Sequence, residues 1–118
     1  MTGSVSSTEP EVEQVRFIED GVELRLVLPE WLFYFQGHFP TRPILPGVAQ
    51  IDWAVRMADR YLGTAIGGAR QIRVKFRSVI SPGPLTLRLR RRSEGAKLDF
   101  EYVHGDAIVS FGTIDLTA

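Results

Sequence analysis

One helix has to serve this whole chain. Residues 47–62 (GVAQIDWAVRMADRYL) carry its clear helical periodicity, with Val48, Ile51, Val55, Ala58 and Leu62 recurring on a single stripe. Trp53, Ala54 and Met57 widen the stripe and predict a helix buried on most sides. Gly63 suits the position just past the helix end, with Arg60 near the negative end of the dipole. On either side the apolar period is two. Residues 12–18 alternate weakly, Glu19-Asp20-Gly21 supplies a turn in which Gly21 can take positive φ, and Val22, Leu24, Leu26 and Leu28 share one face. Pro29 ends that strand, and residues 30–36 (EWLFYFQ) read as a short helical turn or a further strand. After the helix, Ile72, Val74 and Phe76 alternate with charged residues, as do Leu85, Leu87 and Leu89, then Leu98, Phe100 and Tyr102. Residues 108–116 close the chain.

Strands, a loop, a long helix and strands again predict an α+β architecture. A meandering, curved antiparallel sheet wraps around one central helix. Such a unit leaves a helix flank and an edge strand in need of cover, which predicts a dimer. The length of 118 residues fits one domain over 11–118, preceded by a small, polar, flexible tail over 1–10. With 44% hydrophobic and 24% charged residues and a formal net charge of +0, the chain is globular, and its charge gives no reason to expect nucleic acid. It has no cysteine, which excludes disulfides and thiolate chemistry and fits a cytoplasmic setting. There is neither an apolar run of membrane-spanning length nor a signal-peptide pattern at the start.

The chemistry concentrates in residues 35–54, FQGHFPTRPILPGVAQIDWA. Imidazole titrates near neutrality, so His38 is a candidate general base. The other reading is a histidine satisfied structurally beside a turn. Gly37 and the prolines at 40, 43 and 46 make a stiff loop that would fix the ring, which favours the first. Pro46-Gly47 opens the helix with bare N–H groups at Gly47 and its successor Val48, suited to an oxyanion or a carbonyl turning into an enolate. Asp52 lies at the edge of the apolar stripe, facing inward or nearly so. It is either a proton donor or a structural carboxylate bonded to backbone or to an arginine. His104 falls in a turn and carries little weight. Arg88, Arg90 and Arg92 share one strand face. They form either a solvated surface or a positive patch for an acidic partner.

These residues resemble the active-site segment of the hot-dog-fold 3-hydroxyacyl-[acyl-carrier-protein] dehydratases, the FabZ/FabA-type enzymes. The pattern G-H-F-P-x-x-P-x-x-P-G-x-x-x-x-[E/D] is met at every specified position from Gly37 to Asp52. VKFRSVISPGPLTLRL (74–89) is similar to the strand-turn-strand that follows the helix in this family. The wording GHFP…LPGV.Q.DWA and the chain's size are most similar to the aryl-polyene (ApeI-like) dehydratases. Two departures stand out. The FabZ branch usually has Glu where Asp52 stands, and the isomerising FabA branch has a cysteine where this chain has Val48.

The resemblance implies that His38 removes the α-proton of a 3-hydroxyacyl thioester, Gly47 holds its carbonyl, and Asp52 helps protonate the departing hydroxyl. It also implies fatty acid or polyene synthesis, an acyl carrier protein as partner and no cofactor beyond the carrier's phosphopantetheine. The site would be shared between two subunits, in a homodimer or a heterodimer with a related dehydratase subunit. A non-catalytic or accessory hot-dog subunit is the competing reading, though the complete set His38, Gly47 and Asp52 favours catalysis. A thioesterase ranks lower, because water activated by a carboxylate does not require His38 in a proline-rich loop.

Overall fold

The structure is a computed structural model that describes residues 8–35, 43–64, 71–92 and 96–115. Six strands form one antiparallel sheet: β1 (Glu11–Ile18), β2 (Gly21–Leu28), β3 (Ile72–Phe76), β4 (Gly83–Arg92), β5 (Lys97–His104) and β6 (Ala107–Asp115). A 3₁₀ turn, Phe33–Phe35, follows β2, and the helix α1 spans Gly47–Leu62. This is the hot-dog arrangement, a sheet around one helix. Gly63 ends α1 in the left-handed region at φ 63°, a conformation that costs glycine nothing because it has no Cβ.

The sheet is not the simple meander the sequence predicts. Its order is β1-β2-β4-β5-β6-β3, so the strand after the helix lies at the far edge beside β6. β2 therefore pairs directly with β4.

Alternation sorts each strand into two faces. Leu24, Leu26, Leu87, Leu89, Leu98, Phe100 and Tyr102 point inward and are buried. The helix packs on this inner face against β2 and β4. Its buried row is Ala49, Gln50, Trp53, Ala54, Met57 and Ala58, centred on the residues that widen the predicted stripe and not on the stripe itself. Of the predicted stripe and the residues that widen it, Trp53, Ala54, Met57 and Ala58 are fully buried; Val48 is 72% exposed, and Ile51, Val55 and Leu62 are half-buried. The physical reason is close packing. Three alanines let the helix axis approach the sheet, and Trp53 and Met57 fill the space between them. Ile51, Val55 and Leu62 pack against the edge of the core, and Val48 is left exposed.

The chain start is tied down from Thr8 onward. The indole N–H of Trp53 donates to the Thr8 carbonyl at 2.7 Å, and the Glu9 carboxylate meets Arg60 at 3.2 Å and Arg56 at 3.6 Å. The tail assigned to residues 1–10 is therefore anchored at its end, while residues 1–7 lie outside the described residues.

The β1–β2 turn also differs from expectation. Asp20, not Gly21, takes positive φ, at 60°; its short polar side chain tolerates that region. Gly21 is required for a different reason. A Cβ there would collide with the backbone carbonyl of Leu89 on β4. Gly21→Ala should therefore cost about 1–3 kcal/mol, because the obstacle is backbone and cannot rotate away. Asp20→Gly should leave stability within about 0.5 kcal/mol. Urea unfolding midpoints of the two variants against the parent chain check the contrast.

Candidate functional site

Pro46 caps α1 in extended conformation (φ −65°, ψ 152°) with no side-chain cap. Its carbonyl accepts from the N–H of Ala49 at 3.1 Å and of Gln50 at 3.3 Å. In a trans peptide the next N–H points the opposite way. The Gly47 N–H therefore points out of the helix end, with that of Val48 beside it, and neither has an acceptor among the described residues. Two bare donors with the helix dipole behind them are what the sequence predicts here.

The Phe76 side chain of β3 stands against this entrance. A Cβ on Gly47 would lie 2.5 Å from its ring Cζ. Glycine at 47 thus makes room for a ring of the chain itself, a neighbour the sequence did not reveal. Phe76 is 48% exposed, and Val48, Val79 and Ile72 are exposed as well. The edge strand and the helix entrance form an uncovered apolar surface.

Asp52 stands one turn past Val48, together with Val48 and Val55 on the helix side away from the sheet. It does not face the core as the sequence predicts. At 100° per residue, the row Ala49–Gln50–Trp53–Ala54 takes the sheet side and leaves Asp52 opposite. Its carboxylate pairs with Arg56 one turn on, at 3.0 Å, with the Asp52 side chain 36% exposed. Exposed pairs of this kind are worth roughly 0–1 kcal/mol, so Arg56 is a yielding partner. His38 lies outside the described residues, as do Gly37 and Pro40.

A buried polar network beneath the entrance escaped the sequence reading. The side chain of Gln50 donates from Nε2 to the Leu45 carbonyl at 3.3 Å, and its Oε1 accepts from the Ser110 hydroxyl at 2.6 Å. The Tyr102 hydroxyl donates to the Gln50 backbone carbonyl at 2.6 Å. Gln50 and Ser110 are buried, as is Tyr102. Burial holds the Tyr102 hydroxyl well above its ordinary value, and the Asp52 charge adds to that. The visible signals were a glutamine in an otherwise apolar helix row and a serine on the inner face of the last strand.

Arg88, Arg90 and Arg92 lie on the outer face of β4, with the sheet between them and the helix. Arg88 is held between Glu23 at 3.0 Å and Glu101 at 2.6 Å, and Arg92 pairs with Asp99 at 2.7 Å. Arg90 has no ion pair among the described residues. Hydrogen bonding from Arg16 leads the effects that hold the Glu23 carboxyl below its ordinary value of 4.5, with Arg88 adding to it against burial. For Asp99 burial is the largest effect and pushes upward. Arg92 and Thr113 together outweigh it, leaving the carboxyl below 3.8. His104 is the last residue of β5 and is exposed.

The ApeI-like family, described as ApeI dehydratase, matches residues 12–113. The chain belongs to this family. Two solved structures carry the same fold at similar identity. One is a chain of the dehydratase heterocomplex ApeI:P from Xenorhabdus doucetiae, at 34% identity and TM-score 0.83, covering 93% of this chain and 99% of that one. The other is an uncharacterized protein from Erwinia carotovora subsp. atroseptica, at 35% identity and TM-score 0.73, covering 92% and 96%. The 3-hydroxyacyl-[acyl-carrier-protein] dehydratase FabZ of Nitrobacter hamburgensis is 34% identical over 89 residues, 68% of this chain. This chain spans 58% of that relative's length. No helix among the described residues is long and apolar enough to cross a membrane.

Two outcomes follow from this geometry. Gly47→Ala should displace the Phe76 ring, visible as shifted ring resonances, and cost up to about 1 kcal/mol, since the ring is half-exposed and can give. Adding Phe76→Ala should return most of that loss. On the outer face, Glu23 and Asp99 titrate lower in the folded chain than in the unfolded one. Their stabilisation is complete above the unfolded values and is lost as pH falls through the folded ones. Glu23→Gln should therefore lower the unfolding midpoint at about pH 6 and have little effect at about pH 2.

Proposed function

We propose that this chain removes water from a 3-hydroxyacyl thioester, carried on acyl carrier protein, to give the trans-2-enoyl thioester. The observation that carries the reading is the helix entrance. Bare N–H groups at Gly47 and Val48 and a half-exposed carboxylate at Asp52 stand on one helix, beyond a loop whose sequence supplies His38. His38 takes the α-proton, and the thioester oxygen gathers negative charge. The Gly47 and Val48 N–H groups stabilise that charge, which is worth more in the transition state than in the ground state. The Cβ–O bond then breaks and Asp52 protonates the departing hydroxyl, so one proton and one hydroxide leave as water. The chemistry needs no cofactor of the chain's own, and the reading places it in the cytoplasm, in fatty acid or polyene synthesis.

Asp52 points away from its own sheet, and the apolar surface of Val48, Ile72, Phe76 and Val79 adjoins an open sheet edge. Both support a dimer in which each site takes residues from two subunits. The likeness to a chain of a heterocomplex favours a second arrangement, in which the partner is a related dehydratase subunit and this chain plays the accessory part. The outer arginine face is the surface that an acidic carrier would meet first. With Arg88 and Arg92 already paired, Arg90 is its principal free cation among the described residues.

His38→Ala and Asp52→Asn should each lower turnover of a 3-hydroxyacyl-carrier substrate by ~10²–10⁴-fold, the usual cost of losing an acid–base group. Co-refolding the two inactive variants should restore turnover, because one site of each mixed dimer keeps both groups. Activity near the parent level in either single variant would remove the assigned role. A mixture as inactive as its components would remove the shared site. An inactive parent chain that gains activity with a related subunit would select the accessory arrangement.

A further inference from the structure

Among the described residues, the buried polar network around Gln50 is the group of side chains that the proposed chemistry leaves unused. A buried primary amide is costly unless its donor and acceptor are satisfied. Here each end is engaged by a different element. Oε1 takes the Ser110 hydroxyl of β6 at 2.6 Å, and Nε2 reaches back to the Leu45 carbonyl at 3.3 Å. A leucine or methionine would fill the same row of α1 without that demand, so an amide at 50 calls for a reason beyond packing.

The reason lies in where the clamp ends. Leu45 is two residues before Gly47. Its N–H donates to the Ile80 carbonyl at 2.8 Å, and its carbonyl is held by Gln50. Pro46 has its φ fixed by its ring, and its own carbonyl is taken by Ala49 and Gln50 N–H groups. Each peptide plane from Leu45 to Gly47 is thereby fixed. The Tyr102 hydroxyl, bonded to the Gln50 carbonyl, ties the same turn of helix to β5.

We propose that Gln50 is the positioning residue of the Gly47–Val48 donor pair. Its side chain clamps the Leu45 carbonyl to Ser110 and so sets the direction in which the two N–H groups point. This rests on the dehydratase reading for its kinetic consequence, but the aim of the donors is measurable without it. A donor that stabilises developing charge works only when held at the right place before the reaction.

The test compares Gln50→Leu, Ser110→Ala and the double variant. Gln50→Leu removes the clamp and strands the Ser110 hydroxyl, so the thermal midpoint should fall. It should also lower kcat on a 3-hydroxyacyl thioester by ~10–100-fold with KM changed only a few-fold, part of the loss expected when such a donor is removed outright. Adding Ser110→Ala removes the stranded hydroxyl and should recover part of the midpoint while kcat stays low. Amide resonances of Gly47 and Val48 in ¹⁵N-labelled protein should move in Gln50→Leu and much less in Ser110→Ala. Parent-level kcat in Gln50→Leu, or a kcat that returns together with the midpoint in the double variant, would overturn the proposal. Unmoved Gly47 and Val48 resonances would do the same. A parent chain without dehydratase activity would overturn the proposed function instead, and the resonances would then judge the clamp alone.

Discussion

The contact on which this structure depends is the face of α1 that carries Ala49, Gln50, Trp53, Ala54, Met57 and Ala58. A single helix must cover the inner leucines of β2 and β4 and the aromatic rings of β5. Large side chains all along that face would hold it too far away, and small ones alone would leave voids. Three alanines alternate with Trp53 and Met57, so the helix sits close and the gaps are filled. Trp53 then serves two further neighbours. Its ring meets Tyr34 edge-on at 6.1 Å, which holds the turn after β2, and its N–H pins Thr8. Removing this one side chain would release the helix, the 3₁₀ turn and the start of the chain together.

This packing decides where the site is. Because the alanine row faces the sheet, Val48, Asp52 and Val55 face away from it, and the helix entrance stays at the rim, beside the edge strand β3. The donors and the carboxylate are thus displayed on a side that the described residues of the sheet do not cover. Val48, Phe76, Val79 and Ile72 are exposed at the helix entrance and on or just after the edge strand beside it.

Much of this was legible in the residues. The bounds of α1, its Gly63 cap and the inner faces of β2, β4 and β5 follow from period and turn chemistry, because burial on one side leaves a strict alternation. What the period could not supply was the side of the helix that meets the sheet. Apolar residues run round most of α1, so its stripe has no sharp centre: it took in the buried Trp53, Ala54, Met57 and Ala58 together with the exposed Val48, and left out Ala49 and Gln50. The smallness of the alanines is what allows close approach. The sheet order was hidden for a related reason: alternation fixes the face of a strand but says nothing about its neighbour, so β3 read as a meander strand. Phe76 beside Gly47 and Ser110 beneath Gln50 are contacts at large sequence separation, with no local signature. Glycine at 21 showed the same limit. A turn calls for a residue with positive φ, and Asp20 met that need, whereas the demand on Gly21 came from a carbonyl on a strand far along the chain.

The two faces of α1 divide the work between them, and this explains an oddity of its composition. A helix with a clean hydrophobic stripe would need polar residues on its far side. Here the sheet-facing row contains Gln50, and the far side contains Val48 and Val55 around Asp52. The inward polar residue is tolerable because Leu45, Ser110 and Tyr102 satisfy its side chain and backbone. Of the outward valines, Val55 still packs against the edge of the core, and Val48 is exposed. Asp52 among them is held by Arg56 in an exposed pair of small energy. The distribution of polarity around one helix thus separates the row that holds the fold from the side that displays the Gly47 and Val48 donors and the Asp52 carboxylate.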